Sequence, residues 1–100
     1  MIDEIRAKFA SGNYEYSRHA FDQRLRRLIA TREIEEAIQS GEVIEAYPDD
    51  KYGPSCLILG WTKDGRPLHV QCSYPDRPVL KVITTYEPDP VQWIGWRERR

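Results

Sequence analysis

The chain lacks the raw material for several whole classes of function. Two cysteines, Cys56 and Cys72, are too few for a disulfide scaffold or a structural zinc site. Both fall in apolar, strand-like runs, where a buried free thiol is the expected state. The six glycines are isolated from one another, so no glycine-rich loop is present to cradle a phosphate. There is no His-Glu-x-x-His, no Cys-x-x-Cys and no carboxylate–histidine cluster, and neither a metal nor a cofactor is expected. No apolar run approaches the roughly 20 residues that cross a bilayer. The N-terminus alternates Asp3, Glu4, Arg6 and Lys8 with apolar residues and does not read as a secretory signal. Charge of one sign is missing too: 15 Lys and Arg stand against 16 Asp and Glu, a formal net charge of −1. The expectation is a single cytoplasmic domain over residues 1–100 with no membrane partner.

What charge there is, is unevenly placed. Between Ser17 and Arg32 the five arginines face one acid, Asp22, whereas the stretch from Glu33 to Asp50 is acidic. The basic stretch contains a short amphipathic helix. Ser17 is its expected N-cap, which places His19 in the first turn. Phe21, Leu25 and Leu28 follow the i, i+4, i+7 spacing of a core-facing stripe, and His19, Gln23, Arg26 and Arg27 fall on the opposite side.

On either side of that helix the pattern is also helical. Ile2, Ile5 and Phe9 mark a helix over Ile2–Ala10, ended by Ser11-Gly12-Asn13, and Tyr14 and Tyr16 run extended. Thr31 reads as the N-cap of a third helix with Ile34, Ala37 and Ile38 buried, closed by Ser40-Gly41. After Gly41 the period changes to two. Four strands are expected, over Val43–Tyr47, Ser55–Trp61, Leu68–Tyr74 and Val79–Tyr86, with Val91–Trp96 as a short terminal segment. Helices followed by antiparallel strands make an α+β domain.

Asp64-Gly65 is the preferred pair for a two-residue type I′ turn, and the register follows from it. Lys63 pairs with Arg66, so Leu57, Leu59 and Trp61 share the core face with Leu68, Val70 and Cys72. Gly60 then lies opposite His69 on the other face and leaves open space above the imidazole. On the fourth strand Lys81, Ile83 and Thr85 join the face of His69, and Tyr86 points inward.

Two histidines among cations suit a metal-free phosphodiester site. RNA carries its own nucleophile, the 2′-hydroxyl, so a protein need only move protons and neutralise the pentacovalent oxyanion. Three blocks, Ser17-Arg18-His19-Ala20 with Ile29–Ile38, Gly60–Val70, and Ile83–Asp89, together resemble a bacterial family known as domain of unknown function 4258. That resemblance implies kinship with the RelE/ParE-like small toxins. It further implies helices on one face of a twisted, four-stranded, mainly antiparallel sheet and a metal-independent endoribonuclease activity. The implied inhibitor is an antitoxin protein, in some members a zinc-finger antitoxin of the YgiT/MqsA type. The matching polar positions are His19, Arg27, His69 and Tyr86. Relatives usually carry arginine four residues after the helix histidine, where this chain has Gln23.

The expected catalytic set is therefore His19, His69, Arg27 and Tyr86, with Arg18, Arg24, Arg26, Arg66 and Lys81 binding RNA. The alternative is a non-catalytic RNA-binding or protein-interaction module in which the same residues only make contacts, or in which a strand edge or the Trp93/Trp96 tail docks a peptide.

Overall fold

The computed structural model describes residues 1–100 as three helices and seven strands. Helix α1, Ile2–Ala10, buries Ile5 and Phe9 one turn apart, carries Asp3 and Glu4 at its start, and ends where Gly12 takes a φ of +76°. Strand β1, Tyr14–Tyr16, leads into α2, Arg18–Arg26, whose N-cap Ser17 accepts a hydrogen bond from the amide of Ala20 at 3.0 Å. Helix α3, Thr31–Ser40, buries Ile34, Ala37 and Ile38 as the spacing predicts. Its cap is Ala30 and not Thr31: Ala30 has no side-chain acceptor, and the Glu33 carboxylate takes the Ala30 N–H instead, at 2.9 Å.

The sheet contains β2 (Glu42–Tyr47), β3 (Ser55–Trp61), β4 (Pro67–Ser73) and β5 (Leu80–Tyr86). It has five strands in the order β1-β5-β4-β3-β2, one more than expected. The extra strand is β1, which pairs in parallel with Leu80–Val82 while every other pairing is antiparallel. A pairing across so much chain leaves no local mark in a three-residue segment. Strands β6, Trp93–Ile94, and β7, Glu98–Arg99, form a separate hairpin. No helix is long and apolar enough to cross a membrane.

Helices and sheet share one core, in which Ile5, Ile34, Ile38, Ile58, Leu68 and Leu80 are fully buried. Each such side chain contributes roughly 1.5–3 kcal/mol. Cys56 and Cys72 are free and buried there, their sulfurs 4.0 Å apart.

Two expectations about facing fail here, and a third, on β5, fails at the site described below. The first concerns the β3–β4 hairpin, which slips by one residue. Its turn has three residues, Lys63-Asp64-Gly65, closed by Thr62 N–H donating to Arg66 O at 2.9 Å and Gly65 N–H donating to Thr62 O at 2.9 Å. Gly65 at φ +82° is the one turn residue in the left-handed region, whereas a type I′ turn needs two. Leu59 consequently pairs with His69, and Gly60 with Leu68. A slip of one exchanges the faces of a strand. Cys56, Ile58 and Gly60 meet the helices, and Leu57, Leu59 and Trp61 look the other way with His69. Gly60 does not open a space over the imidazole; it lets α3 approach the sheet, and a Cβ there would run into the backbone of Ala37.

The second failure is α2. Phe21, Leu25 and Leu28 point to solvent, with exposures of 44%, 54% and 83%, and Ala20 is the buried residue. The cause is polar. Strand β1 ends opposite Val82, so the edge of β5 beyond it needs donors. Ser17 Oγ donates to Ile83 O at 3.1 Å, and Arg27 Nη1 to Thr85 O at 2.7 Å. Thr84 Oγ1 donates to Gln23 Oε1 at 2.6 Å. The face carrying Ser17, Gln23 and Arg27 is thereby turned onto the strand.

Gly60→Ala is expected to cost about 2 kcal/mol or more, because neither backbone can yield without moving α3. Urea unfolding measures it.

Candidate functional site

His69 stands on the sheet's second face, opposite Leu59 and Tyr86. It is fully buried, not open as the register had implied, because the β6–β7 hairpin lies across it. The Trp93 ring meets the imidazole edge to face at a centroid distance of 4.4 Å. His69 Nε2 lies 2.6 Å from Trp96 O, and Nδ1 lies 3.1 Å from Tyr86 Oη. A carbonyl can only accept, so Nε2 carries the proton and donates to Trp96. In the neutral ring Nδ1 is then an acceptor, and the Tyr86 hydroxyl donates to it. Burial lowers the His69 pKa, against the Trp96 carbonyl and the Glu45 carboxylate, which act to raise it.

Tyr86 reaches His69 because of a bulge. Cys72 pairs with Val82, but Gln71 pairs with Thr84, so one residue is skipped at Ile83 and the facing reverses beyond it. Thr85 goes to the helix side, where its hydroxyl donates to His69 O at 3.0 Å, and Tyr86, expected inward, joins His69 instead. Burial raises the Tyr86 pKa. The Arg27 guanidinium sits 5.9 Å from the centre of the Tyr86 ring. Arg27, Arg66, Tyr86, Glu87, Asp89 and Gln92 line a recess of about 580 Å³.

Two arginines in this recess differ in what they have free. Arg66 is committed: Nε donates to Glu87 at 2.9 Å, and its terminal nitrogens donate to Glu33, Leu28 O and Arg27 O. It ties the α2–α3 turn to the start of β4. Arg27 spends Nη1 on Thr85 O and Gln23 Oε1, and its Nε and Nη2 donate to no protein group.

The remaining expected site residues lie elsewhere. His19 is exposed in the first turn of α2, eight residues or about 12 Å of helix from Arg27. It is not among the hydrogen-bond or ring partners of His69, which are Tyr86, Trp96 and Trp93. Arg18 and Arg26 are exposed, and the Arg24 guanidinium lies over the Phe21 ring at 4.4 Å. Lys81 pairs with Glu15 at 3.6 Å, five residues or about 16 Å of strand from Tyr86. So Arg27, Arg66, His69 and Tyr86 converge, and His19, Arg18, Arg24, Arg26 and Lys81 do not. Nothing in the sequence pattern marks the Trp96 carbonyl and Trp93 as the groups that close the site. The same is true of Glu45, which receives bidentate bonds from Arg99 at 3.0–3.2 Å beside it. Backbone acceptors leave no trace in residue type. No three of His, Cys, Asp and Glu gather in a group that could hold a metal.

A family model described as Domain of unknown function (DUF4258) matches residues 16–87. The span includes His19, Arg27, His69 and Tyr86 and stops before the β6–β7 hairpin. No curated protein and no solved structure matches the chain.

His69 fixes a pH dependence. Its folded pKa lies below the ordinary 6.5, so as pH falls through 6.5 the unfolded chain takes up the proton first. Stability present above that pH is lost toward the lower folded value, by at most about 1.4 kcal/mol per pH unit. Carboxylates titrate lower, and denaturant titrations between about pH 6.5 and 5 should therefore show a decline that His69→Gln flattens.

Proposed function

We propose that this chain, which belongs to the DUF4258 family, is the toxin of a bacterial toxin–antitoxin pair and cleaves RNA without a metal ion. The observation that carries the reading is the hydrogen bond of Tyr86 to His69 beside the free edge of Arg27. RNA bound in the recess presents its 2′-hydroxyl to Tyr86 Oη. As the hydroxyl attacks phosphorus, Oη takes its proton and passes its own to His69 Nδ1. The imidazolium so formed keeps its Nε2–H on the Trp96 carbonyl, a charge-assisted bond that offsets part of the cost of burying it. Arg27 neutralises the pentacovalent oxyanion. The bond to the 5′-oxygen breaks on the far side of phosphorus, that oxygen takes a proton from solvent, and a 2′,3′-cyclic phosphate remains. His69 acts through Tyr86 and does not touch the substrate. His19 and Arg26 share an exposed side of α2 and extend the path for flanking phosphates.

Helices on one face of a twisted, mainly antiparallel sheet support placing the fold with the RelE/ParE-like toxins. That kinship would supply an antitoxin protein, of the zinc-finger YgiT/MqsA type in some relatives, and a cytoplasmic site of action. A protein-interaction module is the second reading, and the solvent-facing Phe21, Leu25 and Leu28 favour it.

Purified protein in a chelator is expected to cut end-labelled RNA and leave cyclic-phosphate ends. Tyr86→Phe and Arg27→Ala should each lose about 100-fold or more in rate. Intact RNA, 3′-hydroxyl ends, or full activity in Tyr86→Phe would overturn the proposal.

A further inference from the structure

The outer face of α2 is expensive to maintain in water. Phe21, Leu25 and Leu28 form a continuous apolar stripe, and Leu28 is the most exposed of the three at 83%. Leu28 also has a φ of +56°. It occupies the left-handed position of a Schellman turn, with Leu28 N–H donating to Leu25 O at 3.3 Å and Ile29 N–H to Arg24 O at 2.8 Å. Glycine is the usual occupant of that position, because a Cβ there is strained. The Leu28 carbonyl is held by Arg66, which any residue there would allow. The exposed side chain that makes the position strained is used by no such bond, and strain of this kind is retained where it serves a contact.

The borders of the stripe say what the contact is. On an ideal helix Arg18 lies on one side of it and Arg24 on the other. Arg24 caps the Phe21 ring and buries its Nε without a partner. Over α2 three arginines stand against one acid, Asp22. A second copy of this chain would bring like charges together across a two-fold axis, which is unfavourable. Nucleic acid has no use for three aliphatic and aromatic side chains in a row without a basic groove.

We infer that the outer face of α2 and the Leu28 turn dock an acidic amphipathic helix of a protein partner. Its apolar residues at i, i+3 or i+4 and i+7 cover Phe21, Leu25 and Leu28, and its carboxylates meet Arg18 and Arg24. The inference rests on α2 alone and is independent of the chemistry at Tyr86.

The test uses the full chain, isotope-labelled for NMR, and a synthetic peptide of about 18 residues, long enough to be helical, with leucine at that spacing and glutamate elsewhere. The peptide is expected to shift the amides of Phe21–Ile29, with an affinity that falls as salt rises from about 50 to about 500 mM. Leu25→Ala and Leu28→Gly should each weaken it about tenfold. Leu28→Gly should at the same time raise the melting midpoint by about 4 °C, which a purely structural leucine would not do. An equal response to a lysine-for-glutamate or serine-for-leucine peptide would overturn the inference. So would shifts that map elsewhere, no shift at all, preference for anionic phospholipid vesicles, or self-association without peptide. A fall in melting midpoint for Leu28→Gly would do the same.

Discussion

The hydrogen bond from His69 Nε2–H to the Trp96 carbonyl, 2.6 Å long, holds the second face of the sheet closed. It fixes the tautomer, and the tautomer makes Nδ1 an acceptor and orients Tyr86. It also brings down a hairpin of two two-residue strands, which could not persist alone. Trp96 adopts a φ of +68°, the second non-glycine residue of the chain in the left-handed region, at the point where its carbonyl meets the ring. The rim pairs Arg97–Glu42 and Arg99–Glu45 are about half exposed on at least one partner and hold the hairpin only weakly. Burial of Trp93 and the satisfied imidazole do most of the holding. Leu57 and Leu59, turned away from the helices by the register, are buried all the same.

The kinds of element were legible in the sequence because hydrophobic period reports burial directly. The α1 and α3 stripes and the apolar runs of β3, β4 and β5 are where the pattern puts them. Facing was less legible, since it turns on single residues. One extra turn residue at Gly65 exchanges Leu59 for Gly60, and one skipped residue at Ile83 exchanges Thr85 for Tyr86. Both displacements act on the candidate site. The first sets Leu57, Leu59 and Trp61 beside His69 on the second face, and the second delivers the hydroxyl that His69 holds.

Helix α2 shows the limit of amphipathicity as a guide. Its period is real, but the orientation follows the carbonyls of the β5 edge, to which Ser17 and Arg27 donate. Hydrogen-bond satisfaction thus outweighed the burial of three apolar side chains. Gln23, where the resemblance led one to expect arginine, is the residue that both Thr84 and Arg27 use as an acceptor. An arginine there could not accept either bond, so the glutamine fits the way this helix is seated.

The parallel pairing of β1 with β5 joins Tyr14 to Leu80, a separation of 66 positions. Closing so long a span costs entropy before any contact offsets it, and folds rich in such pairings assemble slowly. During synthesis β1 and α2, which pack on the fifth strand, must therefore wait until it has left the ribosome, whereas α3 packs on β3 and β4. Two of the first elements to be made are thus among the last to settle.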